Sequence, residues 1–187
     1  MRIISGKHKG RRIDLGADNG KTIRPTSDFA RESIFNILAH GKLGLDDHPF
    51  ADKNVLDVFA GTGAFGLEAL SRGAKTVTFI DSSRDALAIA KGNATRMNEM
   101  DNCQFFSADA TKLGRARETY SMVFLDPPYS KGLIPPALLA LKAGGWFAED
   151  AIIITEHDEK EAVEYPEGFK TLDSRRYGRA VISILSL

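Results

Sequence analysis

The stretch NVLDVFAGTGAFGLEAL, residues 54–70, joins an apolar strand to a helix through a glycine-rich turn. Its glycines, Gly61, Gly63 and Gly66, have the Gly-x-Gly-x-x-Gly spacing of turns that bring a ligand close to the backbone at a helix N-terminus. Taken alone, the spacing is also typical of a tight strand-to-helix turn that binds nothing. The stretch therefore predicts the first unit of an α/β fold and the place where a cofactor would bind.

Strands and helices alternate on the C-terminal side of this stretch. After the helix at 63–74, further helices are predicted at 82–98 and 133–145, and further strands at 76–81, 103–109, 120–128, 151–158, 169–176 and 180–187. Such alternation predicts a mostly parallel sheet with helices on both faces. The last two strands have a short connection, which favours an antiparallel edge.

The N-terminal part has a different pattern. Residues 1–24 contain two short strands around GKHKG, which indicates a hairpin with a basic tip, and a helix follows Pro25 and ends near Gly41. We divide the chain into a basic hairpin-and-helix extension, residues 1–45, whose charge would suit a polyanion such as RNA, and a main domain, residues 46–187.

The composition excludes several classes of protein. One cysteine, Cys103, rules out a disulfide framework and is predicted to lie in the core, and the four histidines lack metal-ligand spacing, so no metal site is expected. No apolar run has the length of a membrane helix, so we expect a cytoplasmic protein. Acidic residues are concentrated in 145–168, a run that we interpret mainly as a solvated face.

Three aspartates follow or end successive strands, and they decide between cofactors. Asp57 would repel a pyrophosphate but suits a cation such as the sulfonium and ammonium of S-adenosylmethionine. Asp81 is placed to accept hydrogen bonds from ribose hydroxyls, which NAD and S-adenosylmethionine share. Asp109 is placed to accept from an adenine amino group. The set favours S-adenosylmethionine over a dinucleotide.

The fourth strand ends in Asp126-Pro127-Pro128-Tyr129. The prolines remove N–H donors, so carboxylate and carbonyl acceptors are left to grip the hydrogens of an amine. An exocyclic base amine is a poor nucleophile until its lone pair is freed from the ring. An aromatic side chain can stack on the base and fix its position. The sequence therefore predicts methylation of an amino group.

The segments DVFAGTGAFG, FIDSS, SAD and DPPY resemble the successive motifs of class I S-adenosylmethionine-dependent methyltransferases. RIISGKHKGRRI, IRPTSDFARESIFNIL and YGRAVISIL narrow the resemblance to the bacterial ribosomal RNA small-subunit methyltransferase D family, which methylates the exocyclic N2 of a guanine in 16S ribosomal RNA. The resemblance implies a Rossmann-like seven-stranded sheet, mostly parallel with an antiparallel last strand, plus the N-terminal hairpin and helix. It also implies a substrate within small-subunit ribosomal particles and contacts with their proteins.

Site residues follow from the motifs and the resemblance together. The catalytic residues are Asp126, Pro127, Pro128 and Tyr129. The expected cofactor contacts lie at strand ends and in the loops that follow: Asp57, Phe59, Gly61, Gly63, Asp81, Ser82, Asp109 and Ala110. The expected RNA contacts are basic residues of the extension: Lys7, Lys9, Arg11, Arg12, Arg24 and Arg31. A second basic group, Arg175, Arg176 and Arg179, lies near the last turn.

Three other functions stay open at this point. The acceptor logic of the Asp126–Tyr129 motif also fits adenine N6 or a protein glutamine amide as the target. An NAD-dependent oxidoreductase would use the same glycine turn, and a non-catalytic RNA-binding module could share the fold. Pyrimidine C5 methylation is excluded because no cysteine nucleophile stands at the end of the fourth strand.

Overall fold

The structure is a computed structural model that describes residues 1–16, 28–40 and 48–187. Its helices are α1 (Asp28–His40), α2 (Ala64–Ser71), α3 (Arg84–Arg96) and α4 (Ile134–Gly144). Its strands are β1 (Asn54–Val58), β2 (Thr76–Asp81), β3 (Cys103–Ser107), β4 (Tyr120–Leu125), β5 (Phe147–Asp158), β6 (Lys170–Tyr177) and β7 (Ala180–Ser186). Within these ranges no helix combines the length and the apolar character that a bilayer span requires.

The seven strands form one sheet in the order β3-β2-β1-β4-β5-β7-β6. Neighbours from β3 to β5 are parallel, and β7 is antiparallel to both β5 and β6. The predicted mostly parallel sheet with an antiparallel last strand is confirmed. The strand order reverses beside β1, which is where α/β sheets bind ligands.

Two apolar clusters cover the two faces of the sheet. On one face, side chains of α1, α2 and α3 pack with those of the strands, including Phe35, Phe65, Phe79 and Phe124. On the other face, α4 packs through buried residues such as Leu138 and Leu141. Helices therefore cover both faces, as the alternation predicted, and in the described part of the chain the strand ends are left open for a site.

The N-terminal segment packs on the outside of α2 and α3. Its two arms pair in antiparallel fashion, since the Ile3 N–H donates to the Arg11 carbonyl at 2.9 Å and the Gly10 N–H to the Ile3 carbonyl at 2.8 Å. The buried Glu68 carboxylate of α2 accepts from the Ile4 and Ser5 N–H groups at 2.7 and 2.9 Å. The hairpin turn is confirmed, but within residues 1–16 its arms share a single β-bridge, Arg2 with Arg12, in place of the two predicted strands; residues 17–24 lie outside the described part.

The described residues of the extension share their core with the sheet and helices of residues 48–187. Ile3, Ile13 and Ile34 belong to the same cluster as the α2 and α3 side chains. The division near residue 45 stays a prediction about function, because in packing terms the two parts are continuous.

Candidate active site

The register of β1, β2, β4 and β5 places several of the predicted site residues next to one another. Val58 of β1 pairs with Ile80 of β2 and Leu125 of β4, and Leu125 pairs with Thr155 of β5. The residues directly after these positions therefore stand side by side at the carboxyl edge of the sheet, in the order Asp81, Phe59, Asp126 and Glu156. The first three were predicted as site residues, whereas Glu156 was not.

Asp57 lies inside β1 and is 2% exposed. Its Oδ2 accepts from the Gly66 N–H at 3.0 Å, so this carboxylate caps the first turn of α2, where Gly63 has no side chain to do so. Burial raises the pKa of Asp57 well above its ordinary value, the Gly66 hydrogen bond opposes the shift, and the charges of Asp126 and Asp81 add to it. The charges of Asp81 and Asp126 therefore both disfavour the ionised form of Asp57.

Asp81 ties together the two loops that border this cleft. Its Oδ2 accepts from the Gly61 N–H at 2.9 Å, and its Oδ1 accepts from the Ser83 N–H at 2.8 Å. A carboxylate has about four acceptor sites, so two further hydrogen bonds, such as those from ribose hydroxyls, remain possible. Asp81 can thus hold the glycine turn and a ligand at the same time.

Close packing requires glycine at two of the three positions of the turn, Gly63 and Gly66. A Cβ on Gly66 would come within 2.5 Å of the Phe79 ring, and one on Gly63 within 3.0 Å of Ala90 Cβ. Gly63 also has a φ of 75°. These two positions let α2 and α3 pack closely on the sheet. Ligand approach, the reason predicted for Gly63, is therefore not needed to explain it.

The other predicted cofactor contacts lie in the same group of loops. Phe59 is half-buried and adopts a φ of 64°, which is strained for a side chain of its size. Ser82 is exposed at the start of the loop before α3, and Ser83 caps that helix. Asp109 is exposed; hydrogen bonds from the Thr111 hydroxyl and N–H lower its pKa, and it precedes the buried Ala110.

Two glutamates that were not predicted hold the segment after β4. The Tyr129 hydroxyl donates to Glu156 Oε1 at 3.0 Å. Glu161 accepts from the Ser130 N–H at 2.9 Å and from the Gly132 N–H at 3.0 Å, one with each carboxylate oxygen. Both belong to the acidic run 145–168. The interpretation of that run as a solvated face is wrong for Glu156 and Asp158, each 2% exposed, because they stand at the end of β5 beside the site.

The basic hairpin tip lies at the opposite end of the sheet from Asp126. Lys7 contacts Glu99 at 2.7 Å and the Arg11 guanidinium donates to the Arg96 carbonyl at 2.8 Å. Arg96 is the last residue of α3, and a helix that leaves the carboxyl edge of a parallel sheet ends near its amino edge. A five- or six-residue strand therefore separates the tip from the site, a distance of roughly 15–20 Å.

The remaining predicted RNA contacts differ in their surroundings. Lys9 and Arg12 are exposed on the hairpin, whereas Arg24 lies outside the described residues. Arg31 is 1% exposed, with its guanidinium 3.9 Å from Glu68 Oε2 and donating to the Arg2 carbonyl at 2.6 Å. This placement corrects the prediction for Arg31, because a buried guanidinium that anchors the N-terminal segment is not presented to a phosphate.

The C-terminal arginines lie at the carboxyl edge, around the turn between β6 and β7. Each is exposed and contacts an acidic side chain: Arg175 with Asp173 at 2.9 Å, Arg176 with Glu159 at 2.5 Å and Arg179 with Asp158 at 2.6 Å. Their charges are largely compensated locally, which makes this a weaker anion-binding group than the hairpin.

Cys103 stands at the first position of β3, away from the carboxyl edge, and burial raises the pKa of its thiol to about 12. It is half-buried and packs against the core, so no thiolate nucleophile is available near Asp126. In the described part of the chain, no group of three or more His, Cys, Asp or Glu side chains is arranged to hold a metal ion.

The chain is similar in sequence to a known protein family and to curated bacterial proteins. The profile of a protein family described as Conserved hypothetical protein 95 matches residues 1–186. A candidate rRNA methyltransferase of Bacillus subtilis (strain 168), YlbH, is 37% identical over 89% of this chain and 86% of that protein. The ribosomal RNA small subunit methyltransferase D of Escherichia coli (strain K12) is 34% identical over 84% of this chain and 75% of that protein.

Solved structures agree with the sequence relatives. A candidate methyltransferase of Escherichia coli, yhhF, superposes with a TM-score of 0.81 at 28% identity, over 99% of this chain and 96% of that chain. The match includes the N-terminal extension as well as the sheet, since it covers nearly the whole of both chains.

Proposed function

The chain belongs to the family of the ribosomal RNA small subunit methyltransferases D, and from this premise we propose that it methylates the exocyclic N2 amine of a guanine in 16S ribosomal RNA. The methyl donor in this proposal is S-adenosylmethionine. The observation that carries the proposal is the row of acceptors at the carboxyl edge, where Asp126 stands between the glycine turn and Tyr129. We further propose that the substrate is an assembled small-subunit particle in the cytoplasm, where ribosomal proteins also contact the enzyme.

The charges of the cleft fit this cofactor. The charges of Asp81 and Asp126 lie close enough to Asp57 to raise its pKa. A pyrophosphate would add negative charge to this group, whereas a sulfonium and an ammonium would relieve its repulsion. The residues that would hold the cofactor are those predicted at the ends of β1, β2 and β3. When bound, S-adenosylmethionine supplies a methyl group on a positively charged sulfur that an amine can attack.

Asp126 and its neighbours would prepare the amine. The carboxylate accepts from an N–H of the target and draws the nitrogen out of conjugation with the base ring. Pro127 and Pro128 offer no N–H, so no backbone donor at these positions competes for the nitrogen lone pair. Tyr129 gives the base a face to stack on. After transfer, Asp126 is the nearest group to receive the proton that leaves the methylated nitrogen.

The target base must leave its stack to reach this cleft, because its amine is otherwise covered by neighbouring bases. RNA phosphates would meanwhile contact Lys7, Lys9, Arg11 and Arg12 on the hairpin, about one strand length from the cleft. Arg24 remains a candidate contact, and Arg31 is left out because it is buried. The RNA would therefore follow the α2–α3 side of the molecule.

Methyl transfer to ribosomal particles tests the proposal. Particles and free 16S RNA from a strain lacking this gene are incubated with tritiated S-adenosylmethionine, and the labelled nucleoside is identified. We expect N2-methylguanosine, formed faster on particles than on free RNA. Asp126→Ala should lower kcat at least ~100-fold while the affinity for the cofactor changes only a few-fold.

Asp150→Ala is the matched control, because Asp150 is an exposed carboxylate near the other end of β5 and should leave the rate unchanged. Label in N6-methyladenosine or in protein glutamine would replace the proposed target by one of the alternatives. Calorimetric binding of NAD, without binding of S-adenosylmethionine, would overturn the cofactor as well.

A further inference from the structure

The segment from Pro127 to Gly132 has an unusual backbone conformation. Its two prolines have no N–H groups, and both Ser130 and Gly132 have left-handed backbone, with φ values of 59° and 60°. The backbone of Ser130 is strained, because residues with a Cβ disfavour positive φ. Groups from elsewhere in the chain contact the segment that carries Tyr129 and stabilise this conformation.

Those groups come from β5 and the turn that follows it. Glu161 binds the backbone on either side of Lys131 through its two carboxylate oxygens, at 2.9 and 3.0 Å. Its own position is set by the turn at Asp158, since the Glu161 N–H donates to the Asp158 carbonyl at 2.9 Å. Asp158 in turn contacts Arg179 at 2.6 Å. A chain of contacts thus runs from the β6–β7 turn to the segment after β4.

Glu156 acts on the side chain rather than the backbone. It is 2% exposed, stands in β5 next to the position of Asp126, and accepts from the Tyr129 hydroxyl at 3.0 Å. The hydroxyl lies on the axis of the second side-chain torsion, so a hydrogen bond there restricts mainly the first torsion, which sets where the ring lies. A hydrogen bond to a carboxylate is stronger than one between neutral groups, which suits Glu156 to this task.

We propose that Glu156 is a positioning residue, which holds the Tyr129 ring in place for base stacking, while Glu161 fixes the backbone that follows Tyr129. The proposal rests on the proposed function, in which Tyr129 stacks on the target base. Glu156 does not have to touch the substrate. Its contribution would appear in kcat, because a misplaced ring lets the amine leave the line of attack.

A double-mutant cycle measures this coupling. Tyr129→Phe keeps the ring and removes the hydroxyl, and Glu156→Ala removes the acceptor. We expect each change to lower kcat by about 10-fold, with KM for the particle and the affinity for the cofactor within about 2-fold. Because both changes break one hydrogen bond, the double variant should also lose about 10-fold rather than 100-fold. Losses that multiply would overturn the proposal.

Glu156→Gln is the conservative variant, since its carbonyl oxygen can still accept from the tyrosine hydroxyl. It should keep kcat within about 3-fold of the parent protein, and a loss as large as that of Glu156→Ala would contradict positioning through this hydrogen bond. Tyr165→Phe is the matched control. It removes another tyrosine hydroxyl near β5, one that contacts the Thr155 hydroxyl at 2.8 Å, and should not change kcat.

Tyrosine NMR separates this proposal from the proposed function. The chain has four tyrosines, so ¹³C-labelling of the ring carbon that bears the hydroxyl gives a simple spectrum, and Tyr129→Phe assigns one signal. Glu156→Ala should move that signal, and Glu156→Gln should move it less. A signal unmoved by Glu156→Ala would overturn the contact itself. If the signal moves while the parent protein labels no guanine, only the proposed target fails.

Discussion

At the scale of single residues, Asp57 accepts a hydrogen bond that caps α2 and is also buried close to two other carboxylates. Its carboxylate caps α2 through Gly66, yet it is buried beside Asp81 and Asp126, so the raised pKa reflects an unrelieved cost of ionisation. A cation in the cleft would lower that pKa again. Binding of such a ligand must then release a proton wherever Asp57 is protonated in the free protein.

This linkage predicts a pH dependence of cofactor affinity. Because the bound cation favours the ionised carboxylate, the Kd for S-adenosylmethionine should decrease as the pH rises through the raised pKa of Asp57. Asp57→Asn should bind more weakly at pH 7 and lose most of the dependence. Calorimetry at several pH values measures both effects, with Asp150→Asn as the unchanged control. An equally steep dependence in Asp57→Asn would show that another group is responsible.

At the scale of elements, buried glutamates attach the hairpin to the helices. Glu68 holds the first arm, and Glu99, 3% exposed, contacts Lys7 at 2.7 Å and His8 at 2.5 Å near the tip. Burial alone would raise the pKa of Glu99, but hydrogen bonds from Lys7, His8 and Asn102 hold it below its ordinary value of 4.5. The ionised form is therefore favoured by folding.

Because its pKa is lowered, Glu99 stabilises the folded protein at pH values above the ordinary pKa of 4.5. This contribution is lost as the pH falls through the lowered pKa. Glu99→Gln should reduce the free energy of unfolding by about 1 kcal/mol at pH 7, and the difference should shrink towards zero near pH 3. Urea unfolding at both pH values measures this. Glu164→Gln, at an exposed position in the acidic run, provides the comparison, and a difference independent of pH would refute the assignment.

The elements show which features periodicity can predict. Helices and strands between residues 54 and 158 were predicted because apolar spacing, caps and glycines agree there. β5 begins at Phe147 instead of 151, because a register shift beside Tyr120 and Met122 lets the strand continue past an irregularity. Glu156 was missed because an acid within an acidic run has no local signal. Arg31 was misassigned because only packing shows that it points at Glu68.

At the scale of the whole molecule, the cleft and the hairpin tip occupy opposite ends of the sheet. Recognition of RNA would then depend on contacts well away from the reacting base, which affect binding more than chemistry. Phosphate contacts of this kind carry no sequence information and weaken with salt. This separation makes the two functions independently testable.

Charge reversal on the hairpin provides that test. Lys9→Glu combined with Arg12→Glu should raise KM for the particle by roughly 10-fold and leave kcat within about 2-fold, since both side chains are exposed and far from Asp126. The slope of log affinity against log salt should fall by about 1–2. Lys142→Glu with Lys170→Glu, exposed residues adjoining Phe169, makes the same change in net charge elsewhere. An equal effect of both pairs would mean that net charge alone matters.

The antiparallel strand β7 separates β5 from β6, although β6 precedes it in the chain. On a nascent polypeptide, β6 would emerge before the strand that joins it to the sheet, and β5 would meanwhile expose an unpaired edge. Glu156 lies on that edge, so its backbone partner Ile182 would be made only near the end of synthesis, although the contact of Glu156 with Tyr129 needs β5 alone. The carboxyl end of β5 would thus be enclosed on both sides later than β1, β2 and β4.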